Sequence, residues 1–270
     1  MTKATDIYYP VSAIEKSLFN SIWSLSDYDH NTRKEIILPK GTIEIIFNTS
    51  DTINYFNPAL QISKKLPVVF VNGLNFMPFE LVKTGFQSFL GIQLTSIGFR
   101  LIFGMSVSEL NNCILEGNYL CSGLVELADE LFHKHTFSQK IEIILKWIRQ
   151  RIAKKKDQFL INRALMLMDL NRCPELTVKT ISKKMCLSDR QLRRFSHEWL
   201  GMSTEEFILY NKYKTTLHLM HNSEKSLTEI GFEAGYYDQS HFIREFKSFT
   251  NLTPGMYKAA NKGLPGHIFI

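Results

Sequence analysis

The chain has 270 residues, enough for two domains at roughly 100 to 200 residues each. With 44% hydrophobic and 12% aromatic residues, 14 Gly and 8 Pro, it is excluded from the collagen-like, low-complexity and disordered classes. The net charge of +6 is unevenly spread: residues 1–136 hold 10 Lys/Arg against 13 Asp/Glu, 137–156 hold 7 against 1, and 176–200 hold 6 against 2. Such basic patches suit phosphate, although most basic runs are solvated helix faces.

In chain order, the first hundred residues predict short aromatic or β-branched strands at 35–38, 42–47, 66–71 and 86–94, punctuated by Pro-Lys-Gly, Asn-Gly and Asn-Pro. They point to a small barrel or sandwich. In the strand over 42–47, Ile43, Ile45 and Phe47 share one face and Glu44 and Ile46 the other, so Glu44 lies among apolar neighbours if both faces are covered. A carboxylate there needs a partner, either an effector or a structural one such as Arg100. Trp23 and the many Phe residues either line a pocket or fill the core.

From about Ser108 the period becomes helical. Leu124, Leu127, Ala128 and Leu131 form one apolar stripe, and Ile141, Ile144, Leu145, Ile148 and Ile152 form another opposite Lys146, Arg149 and Arg151. The second stripe buries against its own domain or against a second copy of the chain. The run Lys154-Lys155-Lys156-Asp157 breaks the pattern and marks a boundary. The expectation is an α+β two-domain chain: a β-rich domain with helices over 1–135, an amphipathic connecting helix over 136–156, and an all-α domain over 157–262.

Within that last domain one pattern occurs twice. Ile181-Ser182 precedes Met185-Cys186-Leu187-Ser188-Asp189 and a helix bearing Leu192, Phe195 and Trp199; Ile230-Gly231 precedes Ala234-Gly235-Tyr236-Tyr237-Asp238 and a helix bearing Phe242, Phe246 and Phe249. Each copy reads as helix, tight turn, helix, with a small residue where the helices meet and an N-capping Ser188 or Asp238. The outward faces carry Arg190, Gln191, Arg193 and Arg194 in one copy and Gln239, Ser240, His241, Arg244 and Lys247 in the other. Arg grips guanine and Gln grips adenine through paired hydrogen bonds, so these are major-groove reading types.

At these residues the chain resembles the AraC-type (AraC/XylS) bacterial transcription regulators over about 176–258. The resemblance rests on Leu187-Ser188-x-x-x-Leu192, Gly201-Met202-Ser203, Gly235-Tyr236-x-Asp238-Gln239-Ser240-His241-Phe242-x-x-x-Phe246 and Thr253-Pro254-x-x-Tyr257. It implies two helix-turn-helix units joined by a long helix, reading successive major grooves about 34 Å apart. Arg190, Gln191, Arg193, Arg194, Gln239, Ser240, Arg244 and Lys247 are then the DNA-contacting residues, and Lys212, in place of the family's Arg, meets phosphate as a point charge. The chain departs from the family at Cys186, where a turn glycine is usual, and at Ser196, where Phe is usual. Trp23-Ser24-Leu25, the segment Leu38 to Phe47 and the segment Gly91 to Ser106 resemble the β-rich sensor half of some such regulators, a likeness that names no ligand; the candidate effector contact, Glu44, comes from its place in the strand alone.

The sequence holds no H-E-x-x-H, no G-x-S-x-G and no P-loop. Cys121 with His133 and His135 makes a metal site only on paper, and Cys113, Cys121, Cys173 and Cys186 show neither disulfide nor zinc spacing. No cofactor and no metal are expected, and the chain is read as a regulator rather than an enzyme. The alternative is an enzyme or a covalent sensor using Cys113 or Cys121, fused to a DNA-binding domain. Expected partners are double-stranded DNA, a small-molecule effector, a second copy of the chain and, for an activator, RNA polymerase. No run approaches the roughly 18 apolar residues of a membrane span, and Asp6 interrupts the opening stretch, so the expected location is the cytoplasm.

Overall fold

A computed structural model describes residues 3–29, 31–152, 158–169, 177–260 and 266–269. The run Lys154–Asp157 and Cys173 lie outside them. The first part carries β1 (Lys3–Tyr8), α1 (Ala13–Leu18), β2 (Phe19–Asp27), β3 (Arg33–Ile37), β4 (Ile43–Asn48), β5 (Thr52–Asn57), β6 (Ile62–Lys65), β7 (Val69–Asn72), β8 (Phe79–Thr84) and β9 (Gln87–Leu94). After these come α2 (Ser96–Phe103), a 3-10 turn (Val107–Leu110), β10 (Ile114–Glu116), α3 (Gly117–Leu120), α4 (Gly123–Phe132) and α5 (Phe137–Ile152).

The strands form two antiparallel sheets, ordered β1-β2-β9-β4-β7-β10 and β3-β8-β5-β6, so the expected β-rich domain is a sandwich. β4 is buried at all six positions because both of its faces are covered. Ile43, Ile45 and Phe47 face the helices, in one core with Phe99, Ile102, Leu124 and Ile144. Ile46 faces the second sheet, in a separate core with Ile37, Ile53, Phe70 and Phe79.

The helical stripe on α5 has its cover within this chain: Ile141, Ile144 and Ile148 are buried where α5 packs on α2 and α4. Of the two alternatives for that stripe, the structure takes the intramolecular one.

The remaining helices are α6 (Gln158–Asp169), α7 (Val178–Met185), α8 (Asp189–Leu200), α9 (Thr204–Asn222), α10 (Leu227–Glu233), α11 (Gln239–Thr250) and α12 (Pro254–Ala260). Thereafter comes an element that periodicity did not predict, β11 (His267–Phe269). It pairs antiparallel with β3, adding an edge strand to the second sheet of the sandwich.

Candidate nucleic-acid interface and effector cavity

Each helix-turn-helix unit is built by local hydrogen bonds that the sequence encodes. In the first unit Ser188 opens α8: its hydroxyl accepts from the Gln191 amide, and Gln191 Oε1 accepts from the Ser188 amide at 2.9 Å. In the second, Asp238 opens α11 by accepting from the His241 amide at 2.7 Å. The turn before α8 places Cys186 in the left-handed region, φ 52° and ψ 45°, where the family's glycine stands. The second turn uses Gly235 at φ 84°.

The buried sides are Leu192, Phe195, Ser196 and Trp199 on α8, and Phe242, Phe246 and Thr250 on α11. Ser196, where Phe is usual, is fully buried, and its hydroxyl is 2.9 Å from the Thr204 hydroxyl. Burial on these sides turns Arg190, Gln191, Arg193 and Arg194, and Gln239, Ser240, Arg244 and Lys247, to solvent.

Counting from the caps aligns the two units. Arg190, Arg194 and His197 stand two, six and nine residues after Ser188; Ser240, Arg244 and Lys247 stand at the same offsets after Asp238. Offsets of four and three residues form one row on a helix surface. Arg194 and Arg244 therefore occupy equivalent central positions, whereas Arg193 matches Ile243. His197 was not singled out from the sequence; its signal is the shared offset with Lys247. Gln191 is engaged in the cap.

Two residues turn out to have other partners. Lys212 does not project from the linking helix as a free phosphate contact: its Nζ donates to the Gly235 carbonyl at 2.5 Å and lies 5.8 Å from the centre of the Tyr236 ring. It ties α9 to the second turn. Nor does Arg100 pair with Glu44. Arg100 is ion-paired with Glu198 on α8 and lies 5.4 Å from the centre of the Trp199 ring.

That ion pair belongs to a wider contact between the sandwich side and the helices. Asn111 Nδ2 donates to the Gly201 carbonyl at 2.6 Å, and Phe76 meets Tyr210 of α9 edge-on at 6.0 Å. Gly41, at φ 67°, lies so close to Tyr210 that a Cβ there would run into its ring. The carboxyl end of α8 is held while its amino-terminal half, with Arg190 and Arg194, stays exposed.

Between the two sheets lies a cavity of about 350 Å³, lined by Trp23, Ile46, Phe70, Phe79 and Phe89 among apolar residues, by Arg33, Glu35, Lys40, Glu44 and Lys83 among charged ones, and by His267. Gly91 makes room for the Trp23 indole to lie across β9. Glu44 faces this space beside Gln93, whose Nε2 donates to it at 3.4 Å. Glu35 is 3% exposed and bonded to Lys83 and His267. Burial alone would raise its pKa; the His267 hydrogen bond and the Lys83 charge outweigh that and hold it at about 2.

Elsewhere, burial pushes the Cys113 thiol up, away from the thiolate form a nucleophile needs. Among the described residues no three His, Cys, Asp or Glu side chains gather around a possible metal position, so Cys121, His133 and His135 are not brought together as one. Among the same residues no helix is long and apolar enough to cross a membrane.

These parts define a class: a β-sandwich with an open pocket between its sheets, joined through shared contacts to a double helix-turn-helix domain. Residues 181–260 match the helix-turn-helix domain family, and residues 16–116 match a domain of unknown function (DUF6597). The HTH-type transcriptional regulator ArgR of Pseudomonas aeruginosa is 27% identical over 94 residues, 35% of this chain and 29% of the relative. The HTH-type transcriptional activator RhaS of Escherichia coli (strain SE11) is 24% identical over 94 residues, 35% of this chain and 34% of the relative. The chain thus spans about a third of the length of the curated relatives it matches. A crystal structure of ToxT from Vibrio cholerae with an unsaturated fatty acid bound superposes with a TM-score of 0.50 at 13% identity, covering 97% of this chain and 96% of that one, which shows a common fold. The helical part of the chain is thus similar to HTH-type transcriptional regulators, in keeping with the AraC-type resemblance of its motifs.

Proposed function

We propose that the chain is a sequence-specific DNA-binding transcription regulator, working in the cytoplasm, in which α8 and α11 enter successive major grooves. The observation that carries this reading is the pair of exposed rows at matched offsets, Arg190-Arg194-His197 and Ser240-Arg244-Lys247, on helices joined by α9. α9 has 19 residues, a length of roughly 28 Å at 1.5 Å per residue, comparable with one turn of DNA at about 34 Å. Gln191, Arg193 and Gln239 flank the rows and belong to the same surface. The division of labour follows 1–135 as sensor, 136–156 as connector and 157–262 as DNA-binding domain, with the return of β11 to the sandwich added.

The sandwich cavity is the proposed effector site. At about 350 Å³ it falls within the roughly 300 to 1,000 Å³ of small-molecule pockets, and its apolar walls and charged groups, Glu44 included, fit an amphipathic molecule. An effector acts by binding one arrangement of the two domains better than another. A second copy of the chain and, for an activator, RNA polymerase are the further partners. No catalytic step is proposed.

The test begins with duplexes selected from a random pool by the full chain. Arg194→Ala and Arg244→Ala should each weaken binding by about 1 to 3 kcal/mol, roughly 5- to 150-fold, and relax sequence preference in one half of the site. Wild-type affinity and preference in both variants would refute the assignment of the reading rows.

A further inference from the structure

β11 follows the DNA-binding helices in sequence yet completes the sandwich. Its register runs from His267 opposite Ile37 to Phe269 opposite Glu35, and both His267 and Phe269 line the cavity. His267 Nδ1 is bonded to Glu35, and its Nε2 lies 2.5 Å from Lys40 Nζ. An ammonium only donates, so Nε2 accepts from Lys40, and the Nδ1 proton goes to Glu35. The imidazole thus bridges a cation in the β3–β4 loop and a carboxylate buried on β3, which is costly to leave without partners.

One residue earlier the contacts turn toward the helices. Gly266 accepts from the Leu38 amide at 2.9 Å, and its own amide donates to the Tyr257 hydroxyl at 3.3 Å. Tyr257 is fully buried, its ring 5.7 Å from Phe246 of α11, and its hydroxyl is 2.7 Å from His221 Nε2 in the last turn of α9. A continuous line of contacts therefore leads from the cavity through His267, Gly266 and Tyr257 to the second reading helix.

The geometry points to β11 as a latch, in which His267 joins the effector cavity to the second helix-turn-helix unit. A change at the Lys40–His267–Glu35 end of the cavity is felt as docking or release of β11, and hence in how α11 is set relative to α8. A three-residue edge strand suits this role, because so short a pairing is close to balance and a ligand making differential contacts can shift it. The inference rests on the DNA-binding reading and extends it to regulation.

The test uses the full chain, His267→Ala, His267→Gln and a variant ending at residue 265. Hydrogen exchange over 33–40, which includes the Leu38 amide, reports docking of β11. Binding is measured to a duplex selected by the wild-type chain and to the same duplex with the half read by α11 scrambled. His267→Ala and the shortened chain should exchange faster over 33–40 and change affinity for the intact duplex at least about fivefold. Both should bind the scrambled duplex as the wild type does. His267→Gln, which can still donate to Glu35 and accept from Lys40, should restore most of both readouts. Faster exchange over 33–40 with wild-type affinity for both duplexes overturns the latch, as does wild-type exchange in all variants. If the wild-type chain selects no duplex, the DNA-binding reading fails by itself. Exchange over 239–260 then decides the latch: faster exchange in the shortened chain supports it, and unchanged exchange refutes it.

Discussion

In the first helix-turn-helix unit the turn residue is Cys186, held left-handed at φ 52°, and in the second it is Gly235 at φ 84°. An L-residue with a Cβ is strained there by about 1 to 2 kcal/mol, and glycine is not. The units differ equally in what holds them. The first is gripped at the far end of α8 by Arg100 and Asn111 of the sandwich side, whereas the second turn is tied to α9 by Lys212, and α11 connects with the sandwich through Tyr257 and the tail. α8 is thus seated directly on the sandwich side, and α11 is reached through a linking helix and a short returning strand. Similar local backbone leaves room for different coupling.

The strongest way to probe that asymmetry is at the carboxylate beneath the tail. Glu35 has a folded pKa of about 2, below its unfolded value of about 4.3, so its contribution to stability is complete above the unfolded value and is lost as pH falls toward the folded one. Glu35→Gln should lower stability at pH 7 on the order of 3 kcal/mol. Denaturant unfolding at pH 7, 5 and 4 should find the gap between wild type and variant constant at first and narrowing below about pH 4.3. A gap that widens on acidification would contradict the assignment.

Next in size, Gly235→Ala should destabilise by about 1 to 2 kcal/mol, because alanine is strained at that φ. The mirror change, Cys186→Gly, should stabilise by at most about 1 kcal/mol once the extra freedom of glycine in the unfolded chain is subtracted. Thermal unfolding of the two variants should shift in opposite directions; a shift in the same direction would break the contrast between the turns.

The smallest effect is expected at the grip on α8. Glu198 is 39% exposed at its side chain, so the Arg100 pair is worth no more than about 1 kcal/mol. A double-mutant cycle of Glu198→Gln with Arg100→Met should return a coupling of that size. A coupling of zero would leave Asn111 and the Tyr210 contacts as what seats the first unit.

Much of the local structure was legible before any coordinates. Ser188 with Gln191 and Asp238 with the His241 amide are caps encoded within four residues, and the alternation from Ile43 to Phe47 assigned each side chain to a face. That Cys186 stands where a glycine is usual was legible too, but its left-handed backbone is a finding of the structure. The partners of Arg100 and Lys212 were not legible, since a position on a helix or strand says which way a side chain points and not what meets it there.

Local order, then, was set by the sequence: capping side chains, turn residues and apolar periods act over a few residues and need no distant partner. Only the tertiary structure decided that Ile141, Ile144 and Ile148 are covered by α2 and α4, that Arg100 reaches Glu198, and that the chain returns as β11 to put His267 against Glu35. Each of those depends on which surfaces meet when apolar area is buried, and three residues of edge strand carry too short a pattern to announce their partner.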